Sequence, residues 1–209
     1  MTPDQSAQFR HARLVLMLQV VSGFDPDGVD AERLGIYDFL AVHPLLLAAT
    51  DDDPDRLALR LAGFDDRAIG YASPAQRFVS ARLCLARDLG VLVGRGLVRV
   101  SAAGRVRYRL TPQGEAVASQ FKSTYAQSYT TAARIVVRRV RRLSGRRLRE
   151  SLRGWLRGGA ERPAGQVHPA YPSRGDRDDD STTPQAGKRP GRAALPTNSK
   201  QTALPRGTT

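Results

Sequence analysis

Residues that could do acid, base, nucleophilic or metal chemistry are few in this chain and poorly spaced for it. Its three histidines stand at 11, 43 and 168, with neither the HExxH spacing of a zincin nor a clustered metal triad. Cys84 is the only cysteine, so the chain alone can form neither an intramolecular disulfide nor a thiolate cluster. Its place at the edge of an apolar helical pattern suits a structural thiol. The acidic run Asp51-Asp52-Asp53-Pro54-Asp55 lacks the alternation and the closing Glu of a calcium loop, and reads as a polar loop beside a helix. No phosphate-cradling loop of the Walker or dinucleotide type occurs. The expectation is a non-enzymatic protein with no catalytic residue, metal or cofactor.

Positive charge is abundant instead. The formal charge is +13, from 33 basic and 20 acidic residues. Residues 1–133 carry 15 basic and 14 acidic side chains, residues 134–157 ten Arg and one Glu, and residues 158–209 eight and five. Arg outnumbers Lys by 30 to 3; beside abundant Ala, Gly and Asp this fits a GC-rich coding sequence, so Arg identity at one position says little. Two groups of arginines still form patterns. Arg105, Arg107 and Arg109 alternate with Val106, Tyr108 and Leu110, and with Arg99 they give a hairpin one basic face. That face could neutralise nucleic-acid phosphates, and a solvated strand face is the competing reading. Arg138, Arg142, Arg146, Arg149, Arg153 and Arg157 form a helical stripe opposite Val136, Val140, Leu148, Leu152 and Trp155. Such a stripe fits non-specific nucleic acid, an anionic membrane surface or an acidic groove on a partner, with partner or solvent preferred. Trp155 suits docking, and equally a local core contact.

The elements that must position these groups follow from apolar spacing. From Phe9 to Val21, Ala12, Val15, Leu16, Leu18 and Val20 make one broad helical face, with Arg10 and Arg13 pointing outward. GFDPDG at 23–28 is a turn; a second helix carries Leu34, Tyr37, Leu40 and Ala41 and is stopped by His43-Pro44. Residues 50–76 read as a partly helical insertion around Leu57, Leu59, Leu61 and Phe64. From Arg77 to Val93 the residues Val79, Leu83, Ala86, Leu89, Leu92 and Val93 give the best amphipathic helix of the chain, closed by Gly94 and Gly96. Val98–Val100 and Arg105–Leu110 form a hairpin around Ala102-Ala103-Gly104. Thr111 as N-cap, Pro112 in the first turn and Glu115 behind it start a long helix. This helix runs past Ala116, Val117, Phe121, Tyr125 and Tyr129, and on towards Leu143, with Gly145 as an interruption further on.

The predicted fold is mainly α with a small β-hairpin: a winged-helix-like core over residues 1–133, a basic amphipathic helix over 134–157 and a disordered tail over 158–209. The tail, with seven Pro and seven Gly, has too little apolar surface to offset chain entropy. The start of the chain lacks a secretory pattern, and Leu14–Val21 is too short to cross a bilayer. A cytoplasmic protein is expected.

The segments HARLVLMLQV, RLGIYDFLAVHPLLL and RLCLARDLGVLVGRGLVRVSAAGRVRYRLTPQGEAVASQFKSTYAQSY, over roughly residues 9–140, resemble the middle component of ABC-three component systems. The likeness lies in an Arg-Leu-rich first helix, a Leu-x-x-Tyr-Asp-Phe-Leu second helix ending at a histidine, a helix leading through Gly-Leu-Val into a small wing, and the stretch Ser123-Thr124-Tyr125. The resemblance implies an adaptor or sensor that bridges an ABC-type ATPase, related to chromosome-maintenance and repair ATPases, and an effector in a prokaryotic conflict system. On this reading the helix near 29–46 and the wing are contact surfaces, with Tyr37, Asp38 and His43 as the contact residues. Core, solvated and helix-ending roles for these three are the competing readings. The basic tail lies outside the resemblance. A winged-helix DNA-binding transcriptional regulator, gripping backbone through Arg99, Arg105, Arg107 and Arg109 and the basic helix, is the alternative.

Overall fold

Leu14 to Val21 is apolar on all sides but one, and a helix with such a surface is stable only when surrounded. In the computed structural model, which describes residues 6–65, 73–102 and 104–158, this segment is the axis of the fold. The elements in chain order are α1 (Ala7–Ser22), α2 (Ala31–Val42), a 3-10 turn (Pro44–Leu46), α3 (Arg56–Leu61), α4 (Pro74–Gly94), β1 (Val98–Ser101), β2 (Arg107–Leu110), α5 (Pro112–Gln120), α6 (Thr124–Val140) and α7 (Gly145–Gly158). Mainly helical structure with one antiparallel hairpin is thus what the described residues form. No helix among them is long and apolar enough to cross a membrane. The chain divides into two units, Met1–Val167 and His168–Thr209, and all described residues lie in the first. The tail expected to be disordered lies outside the described residues beyond Gly158, as do residues 66–72 of the insertion and Ala103 of the hairpin turn.

Leu14, Val15, Leu16, Met17, Leu18, Val20 and Val21 are all buried, because α1 packs against α2, α4, α5, α6 and β2. The outward pointing expected of Arg10 and Arg13 is corrected: Arg13 is only 3% exposed, and Arg10 reaches Asp88 of α4 with Nε at 2.6 Å. With neighbours on every side, α1 has no solvent face at these positions, so each guanidinium is matched by a carboxylate.

The caps follow the sequence closely. Asp30 starts α2 by accepting from the Arg33 amide at 2.8 Å, and α2 stops at His43 before Pro44. Ser73 and Gln76 form a capping box that starts α4 three residues before the expected Arg77. Thr111 accepts from the Gly114 amide at 3.1 Å, with Pro112 in the first turn as expected. The single long helix from 112 is corrected to two. Phe121 leaves α5 in extended backbone, and Ser123 caps α6 by accepting from the Ala126 amide. The expected boundary at 133/134 falls inside α6, where Ala132, Ala133, Val136 and Val137 are buried together. Residues 134–140 therefore belong to the same core, and the separate basic helix is α7, which begins at Gly145.

The hairpin pairs Val98 with Leu110, Arg99 with Arg109, Val100 with Tyr108 and Ser101 with Arg107. Tyr108 also bridges back to Val29, giving and receiving backbone bonds of 2.8 and 3.1 Å. Gly28 makes this possible. Its φ is +86°, and a Cβ there would stand 2.5 Å from the Tyr108 carbonyl oxygen.

Candidate partner interface

The three expected contact residues are structural in their surroundings. Tyr37 is 3% exposed; its hydroxyl accepts from Arg33 Nη1 at 3.1 Å, and burial pushes the phenol up. Asp38 is 8% exposed, accepting from Tyr129 Oη at 2.6 Å and meeting Arg13 Nη2 at 3.3 Å. Together these bonds join α1, α2 and α6. His43, half-buried, ends α2 with its ring 4.9 Å from that of Phe39. Tyr37 and Asp38 thus lie inside the fold, because α2 between Leu34 and Ala41 packs against α1, α4 and α6, with Gly35 leaving room for Leu85 of α4.

The wing arginines divide. Arg107 is held by Asp25 at 3.3 Å and by the Gly28 carbonyl at 3.0 Å, so it fastens the wing to the turn after α1. Arg99 is exposed and sits directly across from Arg109, whose Nε is buried without a hydrogen-bond partner among the described residues. Arg105 lies in the turn before β2, at the rim of a cleft of about 700 Å³. The start of α2 supplies Glu32 and Arg33 to this cleft, the hairpin Arg105 and Tyr108, and α7 Arg146 and Arg149. Arg149 closes one side on Glu32 at 2.8 Å. Arg33 is spent on structure, donating to the Arg141 and Leu143 carbonyls that lead into α7. The cleft gathers cations, carboxylates and apolar carbon, a set that can hold an acidic or phosphate-bearing partner.

Within 134–157, Arg138 and Arg139 are matched by the acidic loop, while Arg146 and Arg149 pair with Glu150 and Glu32. Arg139 reaches Asp55 with Nε at 2.6 Å and Asp53 with Nη1 at 2.9 Å, and Arg138 pairs with Asp55. Hydrogen bonds from Arg139 hold the Asp53 carboxyl below the usual carboxylate range, and Arg138 and Arg139 outweigh the desolvation of Asp55 to do the same there. The acidic loop is thus the counter-charge of α6, an ion-pair role that its spacing did not announce. Arg141 lies over the Phe24 ring at 5.4 Å. Arg142, Arg147, Arg153 and Arg157 are exposed. Leu148 and Leu152 of α7 are buried, and Trp155 is half-buried against the same core, which is the local contact of its two readings.

The orientation of α4 differs from the one its apolar spacing predicts. Val79 and Leu83, placed on one apolar face with Leu89 and Leu92 by their spacing, are 57% and 78% exposed, and the face that packs inward carries Leu85, Asp88, Leu89 and Leu92. Asp88 decides this: it is buried under Arg10 and His11, so its side of α4 must face α1.

Comparison with known proteins finds no matching family model, no matching curated protein and no matching solved structure.

Proposed function

We propose that the chain is a non-enzymatic adaptor or sensor, the middle component of an ABC ATPase-based three-component prokaryotic defence system, acting in the cytoplasm to bridge the ATPase and an effector. The observation that carries this reading is the outward face of α4. Support for a winged-helix core comes from the order α1, Val29, α2, α4, β1 and β2, with β2 paired to both Val29 and β1 and residues 43–73 inserted between the second and third core helices. On that reading α4 takes the place where a DNA reader presents polar and basic side chains to base edges. Here the middle of that face is Val79, Leu83, Ala86 and Val93, with Arg82 and Arg87 confined to its edges. An apolar strip with a polar rim suits a protein partner. Tyr37 and Asp38 then serve from within, fixing α2 against α1 and α6.

A second reading, a winged-helix DNA-binding transcriptional regulator, draws on Arg99, Arg105 and Arg109 of the wing and the exposed arginines of α7. Titration of purified protein with duplexes of varied sequence, over a range of salt, separates the two. The adaptor is expected to bind weakly and without preference, losing what affinity it has as salt rises. A preference of about a thousandfold or more for one site would overturn it.

A further inference from the structure

The outer face of α4 repeats at fours and threes: Val79, Leu83, Ala86, Gly90 and Val93. Every one of these residues is exposed. A helix with apolar residues at this period is completed by a second helix laid along the seam, and the residues beside the seam select the partner by charge. Taking Leu83 and Gly90 as a positions and Val79, Ala86 and Val93 as d positions places Arg82 at g and Arg87 at e, one on each side of the seam. Both arginines are exposed, and among the described residues neither forms an ion pair with a carboxylate. The one acid of α4, Asp88, is turned inward onto Arg10 and His11. The charged residues of α4 beside the seam are therefore cations alone.

That framing chooses the occupant. A second copy of α4 would set arginine against arginine, whereas a helix with carboxylates at the flanking positions would pair with both. Gly90 points the same way. A glycine inside a helix costs about 1 kcal/mol relative to alanine, and a Cβ at Gly90 would meet nothing within 4 Å. The fold gains no packing from the missing side chain; a helix crossing close to α4 would.

We propose that the outer face of α4 docks an acidic amphipathic helix of a partner protein, seated along Val79, Leu83, Ala86, Gly90 and Val93 with its carboxylates on Arg82 and Arg87. This deepens the adaptor reading and rests on it for the existence of such a partner.

The test uses the full chain and a labelled synthetic heptad helix with Leu at a and d and Glu at e and g, followed by fluorescence anisotropy. The same peptide with Lys at e and g is the control. The Glu peptide is expected to bind saturably, and the Lys peptide at least about tenfold more weakly. Leu83→Asp should weaken the Glu peptide at least about tenfold, the equivalent of losing one buried leucine. Arg82→Glu with Arg87→Glu should transfer the preference to the Lys peptide. All three side chains are exposed, and circular dichroism with thermal unfolding verifies that the variants fold. The proposal is overturned by Glu-peptide binding that ignores these substitutions, since the arginines of α7 would then be the attractant. It is equally overturned by a dimer of the natural chain that Leu83→Asp dissolves, since a second copy would then hold the face. Failure of the peptide while an ABC-type ATPase still co-purifies removes the α4 seam and leaves the adaptor reading standing. Charge-selective peptide binding without any ATPase in native-host purifications supports the seam and removes that reading.

Discussion

Tyr129 on α6 donates its phenolic hydrogen to Asp38 on α2 across 2.6 Å, and the same carboxylate faces Arg13 of α1 at 3.3 Å. Three helices meet on one buried acid. Asp38→Ala takes this carboxylate from Arg13 in the core and should cost about 3–5 kcal/mol of stability. Tyr129→Phe removes one hydrogen bond and should cost about 1–3 kcal/mol. Denaturant unfolding measures both, and a loss below about 1 kcal/mol for Asp38→Ala would show that the helices hold without it.

Stability should fall at both ends of the pH scale, for different reasons. Asp53 and Asp55 have folded-state values held below their unfolded ones, so their contribution is present above about pH 4 and is lost as pH falls through the folded values. Arg139→Ala should flatten this acid limb. Burial, reinforced by the Asp38 charge, raises the Tyr129 phenol, so its contribution is present below the unfolded tyrosine value near about 10 and is lost as pH rises through the folded one. Tm measured against pH, for the natural chain and the Arg139→Ala and Tyr129→Phe variants, assigns each limb.

Gly28→Ala should loosen the wing from the helical body. The substitution strains a backbone at φ +86° and drives a methyl towards the Tyr108 carbonyl, at a cost of about 1–3 kcal/mol. Hydrogen exchange at the Val29 and Tyr108 amides should accelerate more than exchange in α1. Uniform change across the chain would contradict a local hinge at this point.

Arg99 and Arg109 face each other across the hairpin as like charges. Arg99→Glu should therefore stabilise the fold, by about 0.2–1 kcal/mol, through a new cross-strand pair. Thermal unfolding reads the gain, and no gain would show that solvent already screens the pair.

Capping and punctuation were legible in the sequence: Thr111-Pro112, His43-Pro44 and the hairpin over 98–110 all stand where their chemistry put them. Charge was less legible. Arg10, Arg13 and Asp38 look solvated in a linear pattern, because a guanidinium and its carboxylate lie on different helices and only the packing brings them together. The orientation of α4 was hidden for a related reason. Its apolar residues occupy nearly the whole circumference, so periodicity alone could not say which stripe faces inward, and buried Asp88 settles it through Arg10 and His11. Ser123 was visible as a residue but not as a cap, since the aromatic spacing from Phe121 to Tyr129 continues across the break. The candidate interface was thus legible in part: the wing arginines were visible, and the exposed residues of α4 were not told apart from its buried ones.

The most direct test of the adaptor reading is purification of the tagged full chain from its native host, with nuclease treatment throughout and mass spectrometry of what co-purifies. An ABC-type ATPase is expected in near-stoichiometric amount, resistant to nuclease and lost on Leu83→Asp. Recovery of the chain alone, with DNA present only when nuclease is omitted, would contradict the adaptor reading and put the DNA-binding regulator in its place.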